Sequence, residues 1–181
     1  METFTTLRAF VDNLHYHKQR QEYLGKLDIS TIDTPIVDIV SGLAELPYCF
    51  TLQSCYGHFL YKNQKNPTNT EPLPISDSIS CIEYRIAYIA LCIQNNNSGS
   101  RLFHELSEIS SIDPDYIQFG CAEWFWERQV NSYALQVEPK RYMTLDKTPP
   151  IDYQEALHVQ NVRNEFFGEL RKLIQKSLDR G

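Results

Sequence analysis

Tyr84-Arg85-Ile86-Ala87-Tyr88-Ile89-Ala90-Leu91-Cys92-Ile93 is apolar on both of its alternating sets, with Tyr84, Ile86, Tyr88, Ala90 and Cys92 opposed to Ala87, Ile89, Leu91 and Ile93. A strand of this kind is covered on both faces and lies in the middle of its sheet. The rest of the chain must then supply neighbouring strands and the layers that cover them. Downstream, Asn95-Asn96-Asn97-Ser98-Gly99 reads as a turn, and Leu102, Phe103, Leu106 and Ile109 as a short helix closed by Asp113-Pro114. Tyr116 to Trp126 and Val130 to Glu138 read as two further strands, although Ala122 to Gln129 is also rich in helix formers. Upstream, Tyr48 to Gln53 is short and β-rich, and Gly57 separates it from a second extended piece through Phe59, Leu60 and Tyr61. Residues 62–80 hold three prolines and no apolar periodicity, which marks a surface loop.

Helices bracket this β-rich middle. Phe4, Leu7, Phe10, Val11 and Leu14 recur at intervals of three and four, predicting a helix from Thr3 to Leu24 ended by Gly25. Thr34 as N-cap and Pro35 at the first helical position introduce a second helix through Ile36, Val37, Ile39, Val40 and Leu43, ended by Pro47. The last helix, 152–178, starts after Pro149-Pro150. Asp152 caps it, with Glu155 three residues on, and Val159, Val162, Phe166, Leu170, Leu173 and Ile174 form its stripe. The order of elements predicts one α+β domain over 1–181, a mixed sheet of about five strands with helices packed on it and a long C-terminal helix.

With 181 residues, 42% of them hydrophobic, the chain is long enough to bury a core without a disulfide or metal staple. Its formal charge of −6, from 17 Lys and Arg against 23 Asp and Glu, weighs against nonspecific nucleic-acid or anionic-lipid binding. No apolar run approaches the ~20 residues of a membrane span, and the first residues lack a signal-peptide pattern, so a cytoplasmic protein without a membrane partner is expected. Cys49, Cys55, Cys81, Cys92 and Cys121 make an odd set without tight pairing, which reads mostly as small buried hydrophobes.

Two stretches carry chemistry. In Gln53-Ser54-Cys55-Tyr56-Gly57-His58, polar side chains stand at a strand end around a glycine, where successive N–H groups can converge on an anion or cofactor edge. His58 three residues after Cys55 can favour a thiolate. Equally, Cys55 can be buried and His58 can cap a carbonyl. The Cys-x-x-His spacing suits zinc, but no second ligand pair appears; Cys121, Glu123 or His104 would have to complete a site through space, and no metal is expected. In Cys121-Ala122-Glu123-Trp124-Phe125-Trp126-Glu127-Arg128-Gln129-Val130-Asn131, a strand would place Glu123 and Glu127 beside Cys121 and Phe125, opposite both tryptophans. Glu123 is then a candidate acid or base, and Arg128 a clamp for a ligand carboxylate or phosphate. The alternative is a packed tryptophan pair with an edge ion pair. Arg163, Arg171, Lys172, Lys176 and Arg180 on the last helix alternate with acidic residues and read as an exposed ionic face.

Residues 27–61, through Leu27-Asp28-Ile29-Ser30, Thr34-Pro35-Ile36-Val37-Asp38 and Tyr48-Cys49-Phe50-Thr51-Leu52-Gln53-Ser54-Cys55-Tyr56-Gly57-His58, resemble the tRNA wybutosine-synthesising protein 3 family. That family carries a Ser-Ser-Cys-Ser-Gly-Arg motif after a helix and strand, and its members are S-adenosylmethionine-dependent methyltransferases acting on a modified guanosine of tRNA. Ser54, Cys55 and Gly57 match the motif; Gln53, Tyr56 and His58 do not, and histidine cannot reproduce the bidentate fork of the missing arginine. The resemblance implies S-adenosylmethionine as cofactor; the leading reading is a pocket where the Ser54 to His58 turn meets the Glu123 to Asn131 region, with Ser54, Tyr56, Gly57, Arg128 and Asn131 as cofactor-binding candidates and Cys55 or His58 orienting the substrate or moving a proton. The acidic charge disfavours tRNA and favours a small molecule or nucleotide as substrate. A thiol-dependent enzyme with Cys55 as nucleophile, His58 as base and Glu123 as orienter, and a non-enzymatic binding module presenting Trp124 and Trp126, are the other two readings.

Overall fold

A computed structural model of the chain describes residues 4–64, 66–76, 78–143 and 150–180, with Thr5 described by its backbone alone. Thr3, Lys65, Asp77 and Pro149, which enter the expectations above, lie outside the described residues.

The stretch Tyr84 to Ile93 is two strands, not one. β4 (Cys81–Arg85) ends at Arg85 and β5 (Ala87–Ile93) starts two residues later in a different sheet. The remaining elements, in chain order, are β1 (Phe4–Thr5), α1 (Tyr16–Lys26), α2 (Val37–Glu45), β2 (Cys49–Cys55), β3 (His58–Leu60), α3 (Asn97–Ile109), β6 (Ile117–Ala122), α4 (Glu123–Arg128), β7 (Ser132–Val137), β8 (Ile151–Asp152) and α5 (Tyr153–Leu178). Every pairing is antiparallel. One sheet has the order β1-β6-β7-β5-β2 and the other β3-β4-β8. The chain is thus a single α+β domain, with two antiparallel sheets in place of one mixed sheet.

The break at Ile86 shifts the alternation by one residue. Ala87, Ile89, Leu91 and Ile93 face the main core as the pattern requires, but Tyr84 joins them there, while Ala90 and Cys92 face two smaller clusters on the far side of the sheet. Tyr84 seals the junction. Its hydroxyl donates to the Val137 carbonyl at 3.0 Å and accepts from the Ala87 N–H at 3.0 Å, bridging two buried residues at the end of the β5–β7 ladder. The Asp152 carboxylate caps α5 on the Glu155 N–H, and Val159, Val162, Phe166, Leu170, Leu173 and Ile174 are all buried against the core, as the sequence indicates. α5 packs against α2, α3, β4, β7 and β8, so it is the pillar around which both sheets are arranged.

The expected helix over Thr3 to Leu24 is the largest correction. Helix begins only at Tyr16; Phe4 pairs with Ala122 in the sheet, and the backbone of Arg8 and Val11 is held by distant side chains. The Tyr133 hydroxyl donates to the Arg8 carbonyl, and the Asn131 amide both donates to and accepts from the backbone of Val11. These long-range bonds replace the ones a helix would have formed. Phe10, freed from a helical stripe, stacks edge-on against Phe103 and Tyr133. Gly25 lies inside α1, which ends at Lys26. The second helix starts with a single 3-10 turn, Thr34–Ile36, before α2, and Thr34 does not cap it. α3 begins at Asn97, earlier than expected, because the Asn96 side chain caps the Gly99 N–H.

Two measurements probe this packing. Tyr84→Phe removes one hydroxyl and its two hydrogen bonds to buried backbone, and we expect a loss of about 2–4 kcal/mol in urea unfolding. Glu138, buried just past β7, has its pKa pushed up to about 7 from 4.5 by desolvation. The folded chain therefore keeps a proton that the unfolded chain releases, and this carboxyl makes stability fall as pH rises from about 4.5 to about 7. Glu138→Gln should flatten that fall in urea midpoints measured across the same interval.

Candidate functional site

The turn after β2 is fixed from three directions. Gly57 sits at φ +89°, a left-handed conformation that side chains disfavour, and a Cβ there would lie 2.8 Å from the Ala87 Cβ. Its carbonyl accepts from Arg163 of α5 at 2.9 Å. That arginine is only 1% exposed, contrary to the ionic face expected for it. Its guanidinium lies 4.0 Å from the Tyr56 ring centroid and 5.1 Å from that of Phe59, and among the described residues no carboxylate pairs with it. Desolvation draws its pKa below the usual arginine range. Tyr56 also stacks on Phe167, and its hydroxyl donates to the Asn164 side chain at 3.3 Å.

Asp33, which the sequence reading did not single out, closes the turn from the other side. Its carboxylate accepts the Tyr56 N–H at 2.8 Å and lies 3.3 Å from His58 Nε2. His58 Nδ1 is 3.0 Å from the Asn69 carbonyl, so the histidine does cap a carbonyl, in the 62–80 loop. The same loop is tied to α5 by the Leu73 N–H on Gln160 and by the Tyr153 hydroxyl on the Pro74 carbonyl. Cys55 Sγ accepts the Gly57 N–H at 3.4 Å. Burial first, and then the Asp33 carboxylate, push the Cys55 thiol up to about 11, so at neutral pH it is a thiol. The N–H groups of Tyr56 and Gly57, candidates for a cofactor, are thus engaged inside the protein. Ser54 stands opposite Ile89 across the ladder, and its hydroxyl is buried with no hydrogen-bond partner.

The remaining candidates do not join this turn. Residues 123–128 form α4, not a strand, so the expected division of carboxylates and tryptophans between two faces is absent. Glu123 is exposed and pairs with Arg8 at 3.7 Å. Arg128 stacks 4.0 Å from the Trp124 ring centroid and donates to the Trp124 carbonyl. Asn131, buried at φ +61°, is spent on Val11. Cys121 accepts from the Arg8 N–H and His104 pairs with Glu108, so neither is a ligand for Cys55 and His58.

α4 instead forms one wall of a trough along the outer edge of β2. Two adjoining concavities of about 230 Å³ and 580 Å³ share Tyr23, Leu52 and Gln53. The first adds Trp124, Phe125 and Arg128; the second adds Lys26, Asp28, Thr31, Ile32 and Ser54, the last two being the chain neighbours of Asp33 and Cys55. A bulge at Leu52 shapes this edge: Thr51 pairs with Leu91 but Gln53 with Ala90. Trp124 is 45% exposed in the trough, a large share for an indole. The groove between α3 and α5 is lined by Glu105, Glu108, Glu165 and Glu169 against Lys172 and Lys176, with Glu105 paired to Lys176 and, at its end, to Arg180.

No protein-family model matches the chain, and no curated protein matches it. Among the described residues no helix is long and apolar enough to cross a membrane.

Gly57→Ala tests the turn. Left-handed strain together with the Ala87 contact should cost about 2–4 kcal/mol, read as a lower urea midpoint.

Proposed function

We propose that the chain binds a nucleoside-bearing small molecule in the trough between β2 and α4, and that this ligand is S-adenosylmethionine, spent on methyl transfer to a small molecule or nucleotide. The observation that carries the reading is the exposed Trp124 with Arg128 stacked on it in a concavity bordered by Tyr23 and Phe125. An aromatic wall takes a purine by stacking, and ring faces attract a sulfonium cation. Among the described residues only Nη1 of Arg128 donates a hydrogen bond, to the Trp124 carbonyl, so Nε and Nη2 can take a carboxylate in a bidentate pair. The combined space suits a ligand of this size, since such sites span roughly 300–1,000 Å³. The choice of S-adenosylmethionine over other nucleosides rests on the resemblance carried by Ser54, Cys55 and Gly57, and Ser54 borders the trough. Methyl transfer from a sulfonium asks for in-line placement and exclusion of water more than for a strong base, which agrees with a trough that holds no catalytic triad. The chain's negative charge favours a small acceptor over tRNA.

Isothermal titration calorimetry against S-adenosylmethionine and S-adenosylhomocysteine tests this directly. One-to-one binding at or below ~100 μM, about −5.5 kcal/mol, is expected, with quenching of Trp124 fluorescence. Arg128→Ala and Trp124→Ala should each weaken it by roughly tenfold or more, as removal of a hydrogen-bonded or stacking partner does. Binding that survives both substitutions, or no heat in the wild type, removes the trough as the cofactor site.

A further inference from the structure

We propose that Asp33, Cys55 and His58 form a binding site for one divalent metal ion of the zinc type, independent of any ligand in the trough. The ligating atoms of the three side chains all lie within 4.8 Å of one another. One pair, His58 Nε2 and Asp33 Oδ2, is already at 3.3 Å, the edge length of a tetrahedron with metal–ligand bonds of about 2.0–2.1 Å. Closing the thiol side takes a shift of at most about 1 Å, which a partly exposed strand end can supply.

The orientation of His58 carries the argument. Nδ1 faces the Asn69 carbonyl, which can only accept, so that nitrogen is the donor. The other nitrogen, Nε2, is turned toward a carboxylate oxygen of Asp33 at 3.3 Å. This is the arrangement of a ligating histidine: one nitrogen toward the ion, the other donating to a backbone carbonyl that fixes ring and tautomer.

The other two ligands are supported in the same way. The Tyr56 N–H holds the Asp33 carboxylate, and the Gly57 N–H points at the Cys55 sulfur. Nitrogen, oxygen and sulfur donors together suit zinc, and three protein ligands leave a fourth position for water. That position faces outward, because Asp33 and Cys55 are partly exposed while His58 is buried. The charges also close. Binding transfers the Cys55 thiol proton to solvent, and one thiolate with one carboxylate neutralises a divalent ion, so the buried Arg163 nearby meets no net repulsion.

The test uses the full chain, dialysed against a chelator and titrated with Zn²⁺ and Co²⁺ in the absence of any nucleoside. Expected are one-to-one saturation, a cobalt spectrum with tetrahedral ligand-field bands and a near-ultraviolet thiolate charge-transfer band, and release of at least about one proton per ion. Cys55→Ser should abolish the charge-transfer band, whereas Cys81→Ser, which alters the exposed thiol elsewhere on the chain, should leave it intact. Asp33→Asn and His58→Gln should each weaken Zn²⁺ binding by at least about tenfold. A readout free of substitutions covers variants that fold poorly: Zn²⁺ should protect Cys55 from iodoacetamide in the wild type, mapped by peptide mass spectrometry. No saturable binding, a cobalt spectrum without the thiolate band, or unprotected Cys55 at saturating Zn²⁺ overturns the proposal. Failure here leaves the trough reading untouched, because calorimetry with S-adenosylmethionine is run on the chelator-treated protein.

Discussion

A guanidinium removed from water must be compensated, and the way Arg163 is compensated organises the middle of this molecule. Taking an ionised group into the interior costs several kcal/mol after relaxation. Here the return comes from the Gly57 carbonyl and from the faces of Tyr56 and Phe59. Each of those partners constrains something else. The carbonyl meets Arg163 from a residue in a left-handed conformation pressed against Ala87, a combination that favours glycine. That glycine in turn lies against Ala87, the first residue of β5, so the break between β4 and β5 has to fall where it does. Tyr84 then closes the break with its hydroxyl. One buried cation thus links α5, the turn after β2 and the junction of the two sheets.

The parts of this arrangement that were legible in the sequence are those set by local periodicity. The stripe and cap of α5 are written within one turn of helix, and the core-facing set of β5 is a plain alternation. What escaped was decided by groups far apart in the chain. The N-terminal segment has helical spacing, but Asn131 and Tyr133 hold its backbone in non-helical form from more than 100 residues away. Arg163 looked like one more cation on a charged face, although its spacing gave a warning. It follows Val162 and sits four residues before Phe167, both buried, so it shares the inner side of the helix. The segment from Glu123 to Arg128 is rich in aromatics, which read as strand, yet its Glu, Trp and Arg residues accommodate a short helix equally well.

The candidate site divides along the same line. Cys55, Gly57 and His58 announced themselves by proximity in sequence, and their turn is indeed a built feature. Asp33 lies 22 residues before Cys55 and occupies a position that normally caps a helix; its side chain leaves that duty to reach the turn. Only the tertiary structure brings it there. Glu123, Arg128 and Asn131 were grouped with the turn because they are chemically apt, but the sheet separates them from it. Arg128 nonetheless meets the strand leading into the turn, through the trough that begins at Leu52 and Gln53.

The permanent positive charge at the turn comes from α5, as Arg163 bonded to Gly57 itself. His58, the next residue, therefore need not supply one, and it faces a carboxylate on one side and a carbonyl on the other. A guanidinium at that position would have only donors to offer, whereas an imidazole can donate to the Asn69 carbonyl through one nitrogen and present the other to Asp33. The fold thus divides two roles between two elements: a fixed cation anchored in α5 holds the backbone of the turn, and the strand that leaves the turn carries a ring that links Asp33 to the 62–80 loop.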